Sequence, residues 1–314
     1  MEKVNYVESK KAELRQYGKR IRKYWQIYVL MAGRILFYLV FKIKPIWGLG
    51  VAFVDFNIKK GLLESDFVGF KYFIQFIQSS NFWLILRNTV VISVMNLVFA
   101  FPAPIIMSLL LNEIPFGRFK RVTQSMIYLP HFMSWAVIAG LTFALFSTDI
   151  GVVNKLIVFF GGEAIPFLTT KKYFWWVLLA QTIWKEMGWG TIVYLAAISQ
   201  IDQGLYEAAI VDGANRWQMV RHITIPCIAP TIIVMFIMQI GKMFNVNFDQ
   251  VWMMRNDMVS SVAETFEMYS FRVGVQMGNY SVGTAVGLMK SVVSFVLVML
   301  SNWTIKRTGN DGLF

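Results

Sequence analysis

Long apolar stretches recur along the chain, separated by shorter polar connections. A bilayer core about 30 Å thick is crossed by about 20 apolar helical residues, since an α-helix rises about 1.5 Å per residue. Stretches of this kind occupy residues 24–41, 89–111, 122–146, 173–198, 223–240 and 282–305. The pattern predicts an all-α protein, a polytopic membrane helix bundle with six transmembrane helices.

Charged residues divide the six stretches into two groups. Three stretches contain no Asp, Glu, Lys or Arg: 89–111, 122–146 and 223–240. Each of the others contains at least one such residue: Arg34 in the first, Lys185 and Glu186 in the fourth, and Lys290 in the last. A charge inside the hydrocarbon is costly, so it marks either a locally neutralised structural site or a functional one.

The distribution of Lys and Arg predicts how the bundle is oriented. Residues 1–23 contain eight Lys and Arg, which favours a cytoplasmic N-terminus. Six crossings then return the C-terminus to the cytoplasm, in agreement with Lys306 and Arg307 directly after the last stretch. We therefore predict a basic cytoplasmic tail at 1–23, a transmembrane domain at 24–307 and a short C-terminal tail at 308–314.

Composition supports lipid as the main solvent of this chain. Hydrophobic residues make up 56% of the 314 residues, and the mean hydropathy is positive. The formal net charge of +12 could indicate nucleic-acid binding, but the basic residues lie in the tail and in short connections instead of along one face. Attraction to anionic membrane lipid explains the charge better, and we expect no nucleic-acid partner.

The chain lacks the sequence signatures of an enzyme. Its histidines are His131 and His222, its one cysteine is Cys227, and it has neither a HExxH helix nor a GxSxG turn. It also has no GxxxxGK[ST] phosphate-binding loop, so it cannot hydrolyse ATP in the P-loop manner. We expect no catalytic residue, no metal ligand and no cofactor on this chain.

The connection at 200–226 is too polar to cross a membrane, but it carries local structural signals. Asp212-Gly213 is a turn signal that ends a first short helix, and Asn215 with Gln218 three residues later forms a capping box that begins a second one. The segment is therefore predicted to be a helix, a turn and a helix on the cytoplasmic face. It either rests on the lipid headgroups or docks onto a soluble cytoplasmic partner.

The same connection carries a family motif. Glu207-Ala208-Ala209 is followed after three residues by Gly213 and later by Ile225-Pro226. This arrangement resembles the EAA signature of permeases in binding-protein-dependent ABC importers, with Ile225 where the family usually has Leu. The longer form YEAAIVDGA is similar to the carbohydrate-uptake branch, which includes permeases for maltose, alginate and other oligosaccharides. Further similarity lies in Arg87-Asn88-Thr89, Tyr128-Leu129-Pro130 and Gly151-Val152-Val153-Asn154.

The resemblance implies a type I ABC importer permease, in which a coupling helix sits in a cleft of an ATP-hydrolysing subunit. On this chain the coupling contacts would come from Glu207, Ala208, Ala209, Asp212 and Gly213. The implied partners are a second homologous permease subunit, a cytoplasmic ABC ATPase dimer that carries ATP and Mg, and an extracellular solute-binding protein. The domain at 24–307 would then be the permease domain, in the plasma membrane of a prokaryote.

Residues of the fourth stretch and of the segment after the fifth are candidates for the substrate pathway. Lys185, Glu186 and Trp189 form a polar and aromatic patch, which is either a locally neutralised structural pair or a surface facing a water-filled path. Resemblance to maltose-type permeases places these three near sugar-contacting positions. It also matches Asn245 and Asn247 to an Asn-containing sugar site.

Together these features predict a permease subunit that forms half of the translocation pathway for a carbohydrate, with an oligosaccharide as the expected substrate. Lys242, Arg255 and Arg272 are predicted to lie outside or near the outer end; they suit an acidic sugar, but a solvated surface role is the favoured explanation. An ion-coupled secondary transporter of a small polar solute is the alternative. It would require paired broken helices in two related halves, which the sequence does not display.

Overall fold

The computed structural model describes residues 22–115, 117–307 and 312, and it is mostly helical. The α-helices are α1 (Trp25–Tyr38), α2 (Lys71–Ile77), α3 (Asn81–Met95), α4 (Pro102–Asn112), α5 (Gly117–Tyr128), α6 (Trp135–Phe146), α7 (Val152–Phe159), α8 (Lys171–Ile198), α9 (Gln203–Val211), α10 (Arg216–Met219), α11 (Ile225–Gly241), α12 (Phe248–Met254), α13 (Ser260–Ala263), α14 (Phe266–Phe271) and α15 (Tyr280–Arg307). Two short antiparallel strands, β1 (Val54–Asp55) and β2 (Asp66–Phe67), pair with each other. Most of the two predicted tails, namely 1–21 and all of 308–314 except residue 312, lies outside the described residues.

Three of the long helices change their hydrogen-bonding pattern just before a proline. Their π-helical turns are Leu39–Ile43, Asn96–Ala100 and Val220–Thr224, and the prolines that follow two residues later are Pro45, Pro102 and Pro226. Proline has no amide hydrogen and its ring crowds the carbonyl four residues earlier, which disfavours a regular α-helical turn. The wider π turn accommodates the proline, so each helix continues through it.

Four helices in the described part of the chain are long and apolar enough to cross a membrane: Trp25–Phe53, Asn81–Asn112, Arg216–Gly241 and Tyr280–Arg307. The segments Gly117–Phe132 and Trp135–Phe146 supply a fifth if the bent pair is counted as one span. α8 has the length of a span, at 28 residues, but it contains charged residues and is not among them. The bundle is therefore a multi-helix membrane fold, and the count of six crossings stays a prediction.

The prediction of one continuous helix over 122–146 is wrong. α5 ends at Tyr128, a 3-10 turn covers Leu129–Phe132, and α6 runs at 106° to the preceding segment. Pro130 begins the 3-10 turn, and the extended Ser134 caps α6 by accepting a hydrogen bond from the Val137 amide at 3.3 Å. The absence of Asp, Glu, Lys and Arg from 122–146 favours its prediction as one span, although Pro130 and His131 mark the position of the break.

Short helices α12 to α14 form a layer over one end of the bundle, tied to the long helices by side-chain hydrogen bonds. The Asn88 amide on α3 donates to two carbonyls of the α13 region at 2.9 and 3.0 Å, and the Trp175 indole on α8 donates to the Val262 carbonyl at 2.9 Å. Near the start of α15, the Ser281 hydroxyl donates to the Val54 carbonyl of β1 at 2.7 Å. We call helices α12, α13 and α14, together with the β1–β2 pair, the outer layer.

α1 packs differently from the other long helices. Every residue of α1 is exposed, including Leu30 at 79%. The continuation of the helix returns to the bundle at its far end, where Ala52 is fully buried in a cluster with Phe76 and Val282. An apolar helix with this exposure must be covered by lipid or by another protein.

Candidate functional site

A cavity of about 400 Å³ lies between α4, α6, α8, α11 and the segment at 242–250. Four predicted substrate-pathway residues line it: Glu186, Trp189, Asn245 and Asn247. The first two lie on α8 and the other two directly precede α12, so the fold brings two separate segments of the sequence to one space. Lys242 also lines this cavity.

One wall of the cavity is built from α8 and from the break between α5 and α6. The His131 ring, in the 3-10 turn of the break, places Nδ1 3.1 Å from Oε2 of Glu186. The same ring stacks on Trp189, with 4.9 Å between ring centroids and an interplanar angle of 10°. Trp135, the first residue of α6, completes this wall. His131 therefore contacts two of the predicted pathway residues at once.

Lys185, the fifth predicted pathway residue, does not line the cavity. Its side chain is buried, at 7% exposure, and its ammonium donates to the carbonyls of His131 at 2.7 Å and Met133 at 2.5 Å. The ammonium also lies 5.5 Å from the centroid of the Trp135 ring. These contacts satisfy backbone groups that the helix break leaves without helical partners, which is a structural position.

The opposite wall holds the two predicted asparagines. Asn245 accepts a hydrogen bond from the Lys290 ammonium on α15 at 2.5 Å, and Lys290 forms an ion pair with Glu267 on α14. Asn247 is the N-cap of α12, since its side chain accepts from the Gln250 amide at 3.1 Å. Both side chains are exposed. Each side-chain oxygen accepts a hydrogen bond from the protein, and both residues border the cavity.

A buried polar cluster holds the helices around the cavity in register. The Gln250 side chain on α12 donates to the Leu178 carbonyl at 2.7 Å and to Gln181 on α8 at 3.1 Å. Gln181 donates in turn to the Thr142 hydroxyl on α6 at 2.7 Å. Buried amides that are paired in this way fix the relative positions of α6, α8 and α12.

Sequence reasoning missed the role of His131 in this wall. The residue stood out only as one of two histidines when catalytic motifs were sought. A signal was present, because an ionisable side chain directly after Pro130 interrupts an otherwise apolar stretch. Which residue it would contact depends on the helix break, which the sequence pattern did not predict.

The predicted helix, turn and helix in 200–226 is confirmed. α9 ends at Val211, Gly213 has a positive φ of +80°, and Asn215 and Gln218 form the predicted capping box at the start of α10. The Asn215 side chain accepts from the Gln218 amide at 2.9 Å, and the Gln218 side chain accepts from the Asn215 amide at 2.8 Å. Both halves of the reciprocal cap are therefore formed.

The five predicted coupling residues lie on the outside of this element. Glu207, Ala208, Asp212 and Gly213 are exposed, and Ala209 is partly buried. An open cavity of about 350 Å³ beside them is bordered by residues of both short helices.

The element with these residues is fixed to the bundle from its inner side. The Tyr206 hydroxyl lies 2.8 Å from that of Thr224, in the π turn that leads to α11. Ile198 at the end of α8 packs with Ile201 and Ile228. α9 and its turn therefore present an exposed face and are attached on the other side to the ends of α8 and α11.

Residues 35–309 match the family described as the binding-protein-dependent transport system inner membrane component. The chain belongs to this family. The permease is 45% identical to protein LplB of Bacillus subtilis (strain 168), over 92% of this chain and 91% of that protein. It is 42% identical to the polygalacturonan/rhamnogalacturonan transport system permease protein YteP of the same organism, over 92% and 90% of the two chains.

Solved structures extend the similarity to the whole fold. One is a bacterial alginate ABC transporter in complex with an alginate pentasaccharide-bound periplasmic protein, with a TM-score of 0.86 and 35% identity, covering 94% of this chain and 99% of that one. Another is a bacterial ABC transporter involved in the import of the acidic polysaccharide alginate, with a TM-score of 0.85 and 36% identity, covering 93% and 99%. The permease shares the type I importer fold with these chains.

Family membership decides between the classes of protein considered from the sequence. The chain is a transporter permease subunit of the membrane and not an enzyme, because ATP hydrolysis in such systems belongs to separate ATPase subunits. It also decides against the ion-coupled secondary transporter, since this family operates within ABC transporters.

Proposed function

We propose that this permease forms half of the translocation pathway of an ATP-driven importer for an acidic oligosaccharide. The observation that carries the proposal is the cavity in which Glu186, Trp189, Asn245 and Asn247 meet Lys242. Aromatic rings provide apolar faces for the C–H faces of sugars, while a few amide and charged groups bind hydroxyls and carboxylates. The lining combines these properties in one space between the helices.

Two observations support an acidic substrate. The relatives and structural neighbours include a permease for polygalacturonan and rhamnogalacturonan and a transporter that imports the acidic polysaccharide alginate. In the cavity, Lys242 is exposed and supplies an ammonium group. A lysine ammonium forms a charge-assisted hydrogen bond with a carboxylate of the substrate.

Coupling to ATP hydrolysis is assigned to the exposed side of α9 and its turn. Glu207 offers one carboxylate, Ala208 allows close approach of a partner backbone, and Gly213 supplies the left-handed turn that ends the helix. The partner is a cytoplasmic ABC ATPase dimer, which carries ATP and Mg. The rigid attachment of α9 to α8 and α11 supports transmission of the movement into the bundle.

The remaining partners are assigned from the exposed surfaces. A second homologous permease and membrane lipid cover the exposed α1. An extracellular solute-binding protein docks on the outer layer, and a neighbouring structure contains such a periplasmic protein. Residues 24–307 form the permease domain, with six crossings and both termini in the cytoplasm of a prokaryotic cell.

The test of the substrate class uses the complete transporter in proteoliposomes, with its binding protein and its ATPase. ATP hydrolysis is measured with trigalacturonate, with an alginate trisaccharide and with the neutral maltotriose. We expect stimulation by an acidic saccharide, and we expect Lys242→Gln to weaken it about 10-fold or more, because a hydrogen bond to a charged group contributes about 1.5–3 kcal/mol.

The matched control is Lys71→Gln, an exposed lysine at the start of α2 and outside the cavity, which is expected to leave stimulation at the parent level. Equal stimulation by maltotriose and by both acidic saccharides would contradict the acidic substrate class. Full stimulation of the Lys242→Gln variant by the acidic saccharides would remove Lys242 from the proposed site.

A further inference from the structure

The break between α5 and α6 is held tightly against α8. The Lys185 ammonium donates to the carbonyls of His131 and Met133, on either side of the break's last 3-10 residue. One turn further along α8, a Cβ added to Gly188 would come within 2.2 Å of the Ile127 carbonyl oxygen, so the two backbones are in direct contact there. The position of His131 relative to α8 is thus fixed by contacts on both sides.

His131 contacts Glu186 and Trp189, two of the α8 residues that line the cavity. Its Nδ1 is 3.1 Å from the Glu186 carboxylate, and its ring is nearly parallel to Trp189 at 4.9 Å. The imidazole itself is not part of the cavity lining. The imidazole is located behind Glu186 and Trp189, which do line the cavity.

The Trp189 ring has one face covered and one face available. Although one face stacks on the imidazole, the side chain remains 52% exposed and lines the cavity. A ring that is backed on one side keeps its rotamer, so it does not lose that freedom when a ligand stacks on the other side. The geometry therefore favours stacking of a flat apolar face, such as the C–H face of a pyranose, on the free side of Trp189.

We propose that His131 is a positioning residue for the saccharide pathway, which holds the Glu186 carboxylate and backs the Trp189 ring so that its free face forms a fixed stacking subsite for one sugar unit. This inference rests on the proposed function, because it assumes that a saccharide passes through the cavity. It adds a residue outside the cavity lining to the set that determines transport.

The experiment separates the two contacts of His131. His131→Gln keeps a hydrogen-bonding group for Glu186 and loses the ring, His131→Phe keeps a ring for Trp189 and loses the hydrogen bond, and His131→Ala loses both. Uptake of trigalacturonate, or of the alginate trisaccharide if that is the better substrate, is measured in proteoliposomes as the concentration of loaded binding protein is varied.

We expect the maximal uptake rate to fall about 10-fold in His131→Ala and about 3-fold in His131→Phe and His131→Gln, each of which keeps one contact. The half-saturating concentration of binding protein should not change, because docking takes place at the outer layer. Because a smaller amount of assembled complex would also lower the maximal rate, uptake is normalised to the assembled complex of each variant. The control is Met126→Leu on α5, ahead of the break, which is 69% exposed and is expected to transport at the parent rate.

A double-mutant comparison tests whether His131 acts through Trp189. In the Trp189→Ala background, His131→Ala should cause only the about 3-fold loss expected from the Glu186 contact, instead of about 10-fold. If the two losses multiply, His131 does not position Trp189 and the inference is overturned. If His131→Ala transports at the parent rate while Trp189→Ala does not, the inference is again overturned and the proposed function stands.

Normal uptake by Trp189→Ala would instead remove the saccharide pathway from this cavity, and the proposed function would fail with it. If the His131→Ala complex does not assemble, the maximal uptake rates of the His131→Gln and His131→Phe variants test the inference. Parent-level uptake by both of these variants would overturn the inference.

Discussion

Lys185 and Glu186 are neighbours in the sequence but have opposite surroundings. Successive residues of an α-helix point about 100° apart, because one turn contains 3.6 residues. On α8 this angle directs Lys185 to the carbonyls of the helix break and Glu186 to the cavity. Charge in an apolar stretch identifies the pair from the sequence. Which of the two faces the cavity depends on the rotation of α8, which is set by helices distant in the sequence.

The buried position of Lys185 predicts a stability effect. Lys185→Met should lower the thermal stability of the purified complex, because two carbonyls at the break lose their donor and each unsatisfied buried group costs about 1–3 kcal/mol. The measurement is thermal unfolding in detergent, with Lys172→Met on the same helix as the control. Lys172 is exposed, and its replacement should change the free energy of unfolding by less than about 0.5 kcal/mol. Equal stability of the two variants would contradict the assigned role of Lys185.

Individual elements differ in how far the sequence predicts them. The turn between α9 and α10 is predictable because the groups that form it, from Asp212 to Gln218, are close together in the chain. The break between α5 and α6 is not, because its carbonyls are satisfied by Lys185, 54 residues from His131. The cavity likewise depends on contacts between residues that are distant in the sequence. Sequence reasoning named four of its lining residues, but their assembly and the part of His131 follow from long-range packing.

Two substitutions at Gly213 distinguish an effect on backbone conformation from the loss of a contact with a partner. Its φ is +80°, and a Cβ added there would meet no atom within 4 Å, so a side chain is disfavoured by backbone strain and not by a clash. Gly213→Val should therefore reduce saccharide-stimulated ATP hydrolysis about 10-fold, since a left-handed conformation costs about 1–2 kcal/mol for most residues and more for a β-branched one. Gly213→Asn should remain near the parent rate, because Asn tolerates this conformation.

Stimulated ATP hydrolysis and uptake of the two Gly213 variants are compared in the same proteoliposomes. Equal loss in both variants would indicate a partner contact at Gly213 in place of a conformational requirement. Parent-level coupling in both would contradict the assignment of coupling to this turn.

At the scale of the whole molecule, α8 sets the distance between the two polar ends. Trp175 near its start is bonded to the outer layer, and Ile198 at its end packs beside α9. At 1.5 Å per residue these two positions are about 35 Å apart, which exceeds the thickness of a hydrocarbon core of about 30 Å. If the permease is embedded along α8, we therefore expect the outer layer and α9 to lie on opposite sides of the membrane.

Cysteine labelling tests this arrangement, because Cys227 is the chain's one cysteine and Cys227→Ser provides a background without thiols. Leu63→Cys, in the connection between β1 and β2, and Val211→Cys, at the end of α9, replace side chains that are 94% and 87% exposed. A membrane-impermeant maleimide added to intact cells should label the first variant, and it should label the second only after permeabilisation. Coexpression of the ATPase should then shield Val211→Cys, since the adjacent coupling residues would be covered. Labelling of both positions in intact cells would place α9 outside, where no ATP-hydrolysing partner could reach it.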